Sequence, residues 1–210
     1  MKGLLRKDWY VFLKYGKLFS LFIFVYSFLT FFTDNPTFYI LICMLMSVLM
    51  VKMLMAYEEQ EKWDSLAACF PIRPEQLVLE KYLVSLLLSG AMLVLLGIEF
   101  LGVTVFLPQK ALDFSFLQMV FLMFCVNMLM LAVELPLLFW FGVNRSRIWL
   151  MILVAAVFGI GSAIGAVLQE TYVFWRGSWI TTVTGGFVLS VIALLLSLRL
   201  SVAAYKKREF

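Results

Sequence analysis

The sequence contains no histidine and only three cysteines. The absence of histidine removes the usual general base, the commonest metal ligand and any Ser-His-Asp triad. The cysteines, Cys43, Cys69 and Cys125, are isolated and form no C-x-x-C pair, so they predict neither a metal site nor a redox site. The sequence also lacks the G-x-x-x-x-G-K-[ST] motif of a phosphate-binding loop. These absences predict a chain that is not an enzyme and holds no cofactor or metal of its own.

Charged residues are also scarce, at 14% of the 210 residues, whereas 64% are hydrophobic and the mean hydropathy is +1.00. Soluble domains contain about 25% charged residues. A chain this apolar cannot hide its side chains inside a sphere of its size, so its solvent must be lipid. The net charge of +4 comes from basic residues at the ends of apolar runs, and nucleic acid is therefore not an expected partner. The sequence predicts one membrane-embedded domain over residues 1–210.

Six apolar segments approach the length of about 20 residues that an α-helix needs to cross a bilayer. The predicted fold class is therefore an all-α integral membrane protein with six transmembrane helices. Of the 17 Lys and Arg residues, all except Lys110 and Arg176 fall on one side of the membrane, with Lys52 counted among them. Because Lys and Arg concentrate on the cytoplasmic side, both termini are predicted to be cytoplasmic. The predicted spans are residues 18–32, 37–56, 82–107, 116–141, 148–168 and 179–198.

Residues 1–17 predict an amphipathic helix that lies in the cytoplasmic interface of the membrane. Its apolar positions follow the i, i+4, i+7, i+8 spacing of one helix face, and Lys7 and Lys14 lie elsewhere on the helix. A simple basic anchor for the first span is the alternative interpretation. The apolar face consists of Leu5, Trp9, Phe12 and Leu13.

Residues 57–81 form the only long hydrophilic segment of the sequence, and this segment is locally acidic. Pro71 and Pro74 divide it. We expect a short helix over residues 58–70, and then a helix with Pro74 in its first turn that continues into the third span. Trp63 stands among charged residues, where a tryptophan either dips into lipid or anchors a partner protein.

Polar residues inside the predicted spans are candidates for a translocation path, because a carboxylate in hydrocarbon is costly. The alternative is that these groups only hold helices together. Glu99 lies towards the outer end of its span and Glu134 towards the inner end, so we do not expect a carboxylate dyad. Asn127, seven residues before Glu134, is expected to share its environment, and Pro136 to kink the helix. The candidate path residues are Glu99, Asn127, Glu134, Arg145 and Arg147, of which the two arginines are expected to attract acidic or zwitterionic substrates.

Three stretches of the sequence resemble the membrane subunit of an ATP-binding cassette (ABC) transporter of the type-two permease group. They are Leu-Leu-Arg-Lys-Asp-Trp at residues 4–9, Glu-Lys-Trp-Asp-Ser-Leu at 61–66 followed by Pro-Ile-Arg-Pro-Glu-Gln-Leu at 71–77, and Tyr-Lys-Lys-Arg-Glu-Phe at 205–210. The resemblance covers the whole chain. The sequence looks most like the small bacterial permeases that export phenol-soluble modulins and similar amphipathic peptides.

The resemblance implies a multi-pass permease of the bacterial cytoplasmic membrane. Two permease chains, as a homodimer, would form the path for a peptide substrate, and two cytoplasmic ATPase subunits would bind ATP and Mg²⁺. Residues 1–17 would be the interfacial helix, and residues 57–81 would contain the coupling helix that sits in a groove of the ATPase. The residues that would contact the ATPase are Glu61, Lys62, Trp63, Asp64, Ser65, Leu66, Phe70 and Arg73.

Two other functions fit the same sequence. A membrane interaction protein without transport activity would use the acidic segment to recruit a cytoplasmic partner. The membrane subunit of an importer would also lack a phosphate-binding loop. An importer subunit would need a ligand pocket that opens outward, and the short outer loops contain few residues that could form one.

Overall fold

The computed structural model describes residues 2–30, 37–67, 69–70, 73–106, 114–175 and 179–206. Within these ranges every regular element is an α-helix, which confirms the predicted all-helical class. There are seven helices in chain order. They are α1 Lys2–Tyr15, α2 Lys17–Thr30, α3 Thr37–Gln60, α4 Trp63–Ala67, α5 Pro74–Phe106, α6 Phe114–Trp175 and α7 Trp179–Lys206.

Four helices of the described chain are long and apolar enough to cross a membrane. The qualifying segments are Tyr39–Gln60, Pro74–Val105, Phe116–Ala156 and Val183–Lys206, and α1 with α2 adds a fifth span if this bent pair is counted as one. The chain is therefore a multi-pass helical membrane protein. The count of six spans stays a prediction.

Gly16 separates α1 from α2, whose axes differ by 64°. A Cβ atom at Gly16 would lie only 2.5 Å from the carbonyl oxygen of Phe12, closer than real Cβ contacts come. The Gly16 N–H donates a hydrogen bond to that same oxygen at 2.7 Å. Because only glycine permits this approach, α1 leaves the axis of the first apolar segment and is a separate helix.

A second glycine, Gly142, interrupts α6 with φ 75° and ψ 173°. The 62 residues of α6 would form a rod of about 93 Å if they were continuous, three times the hydrocarbon thickness of a bilayer. This positive φ is readily adopted only by glycine. The break falls where the sequence separates its fourth and fifth predicted spans. Pro136 lies inside the helix, and the residue with non-helical angles is Gly142.

The segment between α3 and α5 differs from its prediction. Helix α3 continues to Gln60, and Lys62 then adopts a positive φ of 51°, which ends the helix in the left-handed conformation common at helix C-termini. The prediction of one helix over residues 58–70 is therefore wrong, since the separate helix α4 covers only Trp63–Ala67. Helix α5 begins at Pro74 and continues for 33 residues, as predicted.

Helix α3 is the central helix of the bundle. Its spanning window is 56% buried within the chain, against 28% for α5 and 17% for α7. One apolar cluster surrounds Ile40 and Met44, and another surrounds Val48 and Val51. Since α3 is apolar all round and covered by its neighbours, any polar side chain it carries must find a partner on another helix.

Candidate functional site

A buried charge cluster joins α1, α3 and α5 at one end of the bundle. The Nζ atom of Lys81 in α5 donates to Oδ2 of Asp8 in α1 at 2.8 Å and to Oε1 of Glu58 in α3 at 2.6 Å. Lys7 donates to the same Glu58 oxygen and lies 3.4 Å from Oδ1 of Asp8. Asp8 and Lys81 are 3% and 5% exposed. We call Lys7, Asp8, Glu58 and Lys81 the charge cluster.

The charge cluster is balanced, because two lysines face two carboxylates. Each buried charge is costly unless it is paired, and removing one partner of such a pair costs about 3–5 kcal/mol. The four side chains therefore hold three helices in one relative position. The cluster was not predicted from the sequence, because no motif distinguishes Asp8 and because Lys81 lies at the end of the hydrophilic segment 57–81.

Helix α1 has two different faces, and its location in the membrane interface stays a prediction. Trp9 and Leu13 are 59% and 48% exposed, as expected of a face that meets lipid, whereas Leu5 and Phe12 are half-buried. The face turned towards the protein carries Leu4 at 8% exposure and the buried Asp8 described above. Helix α1 thus has an outer apolar face and an inner face that contributes an ionic contact.

Helix α4 is attached to the charge cluster through Trp63. The Nζ atom of Lys7 lies 4.1 Å from the centre of the Trp63 ring, which is a cation–π contact. Beside it, the rings of Tyr15 in α1 and Tyr57 in α3 stack with their centres 3.9 Å apart. Helix α4 thus contacts α1 through Trp63 and Lys7, and Lys7 in turn contacts Glu58 of α3.

The remaining residues that are predicted to contact the ATPase divide into inward and outward groups. Leu66 and Phe70 are 53% and 54% exposed, whereas Ala67 is 2% exposed and faces the bundle. Glu61, Lys62 and Arg73 are exposed and lie outside the helical part, and the side chains of Asp64 and Ser65 lie outside the described residues. The structure therefore presents Leu66 and Phe70 as an apolar outer surface, and places Trp63 behind it.

Glu59 links the end of α3 to the break in α6. Its Oε2 atom accepts a hydrogen bond from the backbone N–H of Val143 at 2.8 Å, directly after Gly142. A carboxylate at this place satisfies one of the N–H groups that a helix start leaves without an intrahelical partner. The segment that carries α4 is thus connected to the helix that follows Gly142.

A small cavity lies between the charge cluster and this link. It has a volume of about 40 Å³, enough for one to a few water molecules. Glu80 lines it, is fully buried, and accepts no hydrogen bond from any described residue. The indole N–H of Trp63, which also lines the cavity, likewise has no hydrogen-bond partner among the described residues. These two groups fit bridging water, which accepts from the indole and donates to the carboxylate.

A second polar group lies deeper, between α3, α5 and α6. Asn127 in α6 accepts a hydrogen bond from Ser47 in α3 at 3.0 Å and donates one to Ser89 in α5 at 3.0 Å. Lys52 in α3 donates to Glu134 in α6 at 2.8 Å. All five side chains are buried. We call these five residues the polar core.

The polar core brings together two of the predicted path residues. Asn127 and Glu134 both face α3, as their spacing of seven residues predicts. Lys52 was predicted to lie with the basic residues outside the spans, and this prediction is wrong. It is instead 6% exposed inside α3, and its partner is Glu134. The basic residues remain unevenly distributed without Lys52.

Glu99, Arg145 and Arg147 lie apart from the polar core. Glu99 is buried at 6% exposure in α5, ten residues beyond Ser89, or about 15 Å along the helix axis. Arg145 and Arg147 are exposed in the helix that follows Gly142. Asn127 and Glu134 therefore lie together in the polar core, whereas Glu99, Arg145 and Arg147 lie elsewhere.

Helix α5 is also held to α7 by hydrogen bonds that the sequence did not indicate. The hydroxyl oxygen of Tyr82 lies 2.5 Å from Oγ of Ser197 and 2.8 Å from Oγ of Ser201. The two serines are four residues apart and so share one face of α7. All three are buried at the contact.

The bent N-terminal helix pair, the apolar spans and the buried polar contacts define a multi-pass helical membrane protein. The family model of ABC-2 family transporter proteins matches residues 3–206, which is nearly the whole chain. The chain belongs to this family and is the membrane-embedded permease subunit of an ABC transporter. No curated protein and no solved structure matches it.

Proposed function

We propose that this permease is half of the translocation path of a bacterial ABC exporter for amphipathic peptides. Two copies of the chain form the path in the cytoplasmic membrane, and two separate ATPase subunits bind ATP and Mg²⁺ and drive transport. The observation that carries the proposal is the attachment of α4 to the bundle. Its outer residues Leu66 and Phe70 are exposed, while Trp63 contacts Lys7 of the charge cluster.

The six-span topology belongs to this proposal. The bent pair of α1 and α2 counts as one span, in which α2 crosses the membrane and α1 lies along the cytoplasmic interface. Helix α6 supplies two spans, because the segments before and after Gly142 each exceed about 20 residues. Together with α3, α5 and α7 this makes six. An even number puts both termini on one side, and the uneven distribution of Lys and Arg favours the cytoplasmic side.

A displacement of α4 by the ATPase can reach the other helices through three connections. Trp63 transmits it to α1 through Lys7, the chain itself transmits it to α3, and Glu59 transmits it to the helix after Gly142 through Val143. Breaking a buried ionic contact is costly, so these elements move together instead of sliding past one another. The motion required is a shift of packed helices, as in other transporters and switches.

The proposed path residues are Glu99, Asn127 and Glu134. In the conformation described here, Asn127 and Glu134 have partners on neighbouring helices, which favours a role in helix packing. They meet a substrate only when α3 and α6 separate. The Lys52–Glu134 contact is therefore proposed to close the path in the resting state.

The first experiment tests the ATPase contact. The tagged chain is purified in mild detergent from native membranes, and the eluate is assayed for a P-loop ATPase and its activity. The Leu66→Ala, Phe70→Ala double variant is expected to lose the ATPase. The Leu200→Ala variant, which alters a residue of α7 that is 64% exposed, is expected to keep it. If no ATPase elutes with the wild type, the chain is better regarded as an interaction protein without transport activity.

The second experiment tests substrate and direction. The purified complex is reconstituted into vesicles, and complexes with outward-facing ATPase subunits are energised by external ATP. Export predicts that an amphipathic peptide accumulates in the vesicle lumen and stimulates ATP hydrolysis. ATP-driven loss of peptide from preloaded vesicles would show import, and hydrolysis without response to any peptide would exclude the proposed substrate class.

A further inference from the structure

The helix that follows Gly142 carries three exposed residues on one face. Arg145, Trp149 and Ile152 occupy positions i, i+4 and i+7, so they follow one another along the same side of the helix. Trp149 and Ile152 are 44% and 54% exposed. The face therefore passes from a cation through an aromatic ring to an aliphatic side chain over about 10 Å.

Aromatic rings from the other side of the break extend this face. The ring of Phe141 lies 6.3 Å from that of Trp149, at 19° between the planes, and 5.7 Å from that of Trp140. Trp140 is 71% exposed. Exposed aromatic rings are typical of the membrane–water interface, where their apolar bodies meet acyl chains and their polar edges meet headgroups.

The arginine above these rings has no acidic partner in the described part of the chain. Neither Arg145 nor Arg147 forms an ion pair there. The Glu59 carboxylate, which reaches the break at Gly142, accepts its hydrogen bond from the N–H of Val143. No carboxylate among the described residues pairs with the guanidinium of Arg145, whose planar fork is suited to bind a phosphate in bidentate fashion.

We infer that Arg145, Trp149 and the rings of Trp140 and Phe141 form a binding site for an anionic glycerophospholipid. The phosphate of the lipid contacts Arg145, its glycerol region covers the aromatic rings, and its acyl chains lie along Ile152. The sequence of cation, aromatic ring and aliphatic side chain matches the order of these chemical groups in the lipid. Arg147, two residues from Arg145, points about 200° away around the helix and lies outside the site.

The opposite orientation of the two arginines provides a matched control. The chain is placed in nanodiscs of phosphatidylcholine with increasing phosphatidylglycerol that carries brominated acyl chains. The part of the tryptophan quenching that is lost when Trp140 and Trp149 are both replaced by Phe reports lipid binding at the site. A basic residue near an anionic surface contributes about 1 kcal/mol, which is about fivefold in affinity. Arg145→Gln is expected to reduce the preference for phosphatidylglycerol about fivefold. Arg147→Gln is expected to change it less than twofold. Arg145→Lys keeps the charge but loses the bidentate fork, so its effect is expected to lie between those of the two glutamine variants.

Three results would overturn the inference. The first is equal quenching by brominated phosphatidylglycerol and brominated phosphatidylcholine in the wild type. The second is an equal loss in the Arg145→Gln and Arg147→Gln variants, which would show general attraction without a site. The third comes from phosphatidylcholine nanodiscs with an acidic amphipathic peptide. If Arg145→Gln abolishes peptide binding and leaves the lipid preference intact, the arginine contacts a substrate instead. The assay needs no ATPase, so its outcome is independent of the transport experiments.

Discussion

Lys52 and Glu134 form a buried ion pair between α3 and α6, with 2.8 Å between Nζ and Oε1. Their side chains are 8% and 2% exposed. The two residues are 82 positions apart in the sequence. Neither charge has a favourable environment without the other, because both helices are otherwise apolar here.

Removing one member of this pair should destabilise the chain much more than removing both. Lys52→Met leaves the carboxylate of Glu134 buried without its cation, and the expected loss of stability is about 3–5 kcal/mol. The double variant Lys52→Met, Glu134→Leu replaces the pair by apolar groups and should recover most of that loss. Thermal unfolding in one detergent, followed by fluorescence, measures both. A double variant as unstable as Lys52→Met would contradict the assignment.

The hydrogen bonds of Asn127 should contribute less than the ion pair. Asn127→Leu removes the contacts with Ser47 and Ser89, and interhelical hydrogen bonds in membranes contribute about 0.6 kcal/mol on average and at most about 1.7 kcal/mol. Ser190→Ala is a suitable control, because Ser190 is equally buried and its one hydrogen bond among the described residues is to the Phe187 carbonyl of its own helix. The two variants should differ in unfolding temperature, with Asn127→Leu the lower. Identical temperatures would mean that the bonds across α3 and α5 contribute nothing.

The break at Gly142 should tolerate no side chain. Gly142→Ala forces a Cβ atom into a backbone conformation with φ 75° and ψ 173°, which costs about 1–3 kcal/mol, and it also disturbs the Glu59 contact with Val143. Gly102→Ala is the matched replacement, since a Cβ atom there has no neighbour within 4 Å and alanine favours a helix. Unfolding temperature should fall for Gly142→Ala and stay equal or rise for Gly102→Ala. The opposite order would show that the chain does not turn at Gly142.

Two carboxylates that both pair with lysine should differ sharply in importance. Asp8→Asn removes a charge from the buried cluster and is expected to destabilise the chain by about 3–5 kcal/mol. Glu75→Gln removes a charge that pairs with Lys206 at 2.7 Å, but both of these side chains are more than half exposed. Exposed pairs contribute little because water screens them, so no measurable change is expected. Equal effects in an unfolding assay would refute the idea that α1 is fixed by its ionic contact.

Several features of the fold could be predicted because they depend on local composition. The apolar runs predicted helices, Pro74 predicted the start of α5, and the polar gap after residue 141 predicted a division that the structure places at Gly142. The helix over residues 58–70 was predicted wrongly. Tyr57 stacks on Tyr15 of α1, and Glu58 accepts a hydrogen bond from Lys7 of α1. These contacts favour a longer α3, which therefore ends close to Lys62.

The sequence by itself determined that the protein is helical and membrane-embedded, since hydropathy is a sum over neighbouring residues and needs no tertiary contact. It also indicated that Asn127 and Glu134 face the same way, because they share one helix. Only the tertiary structure decided their partners. Ser47, Lys52 and Ser89 come from helices far along the chain, and periodicity cannot tell which apolar helices pack together. Lipid offers no polar partner, so the buried ion pairs and hydrogen bonds determine which helices pack together, and these partners are visible only once the bundle is assembled.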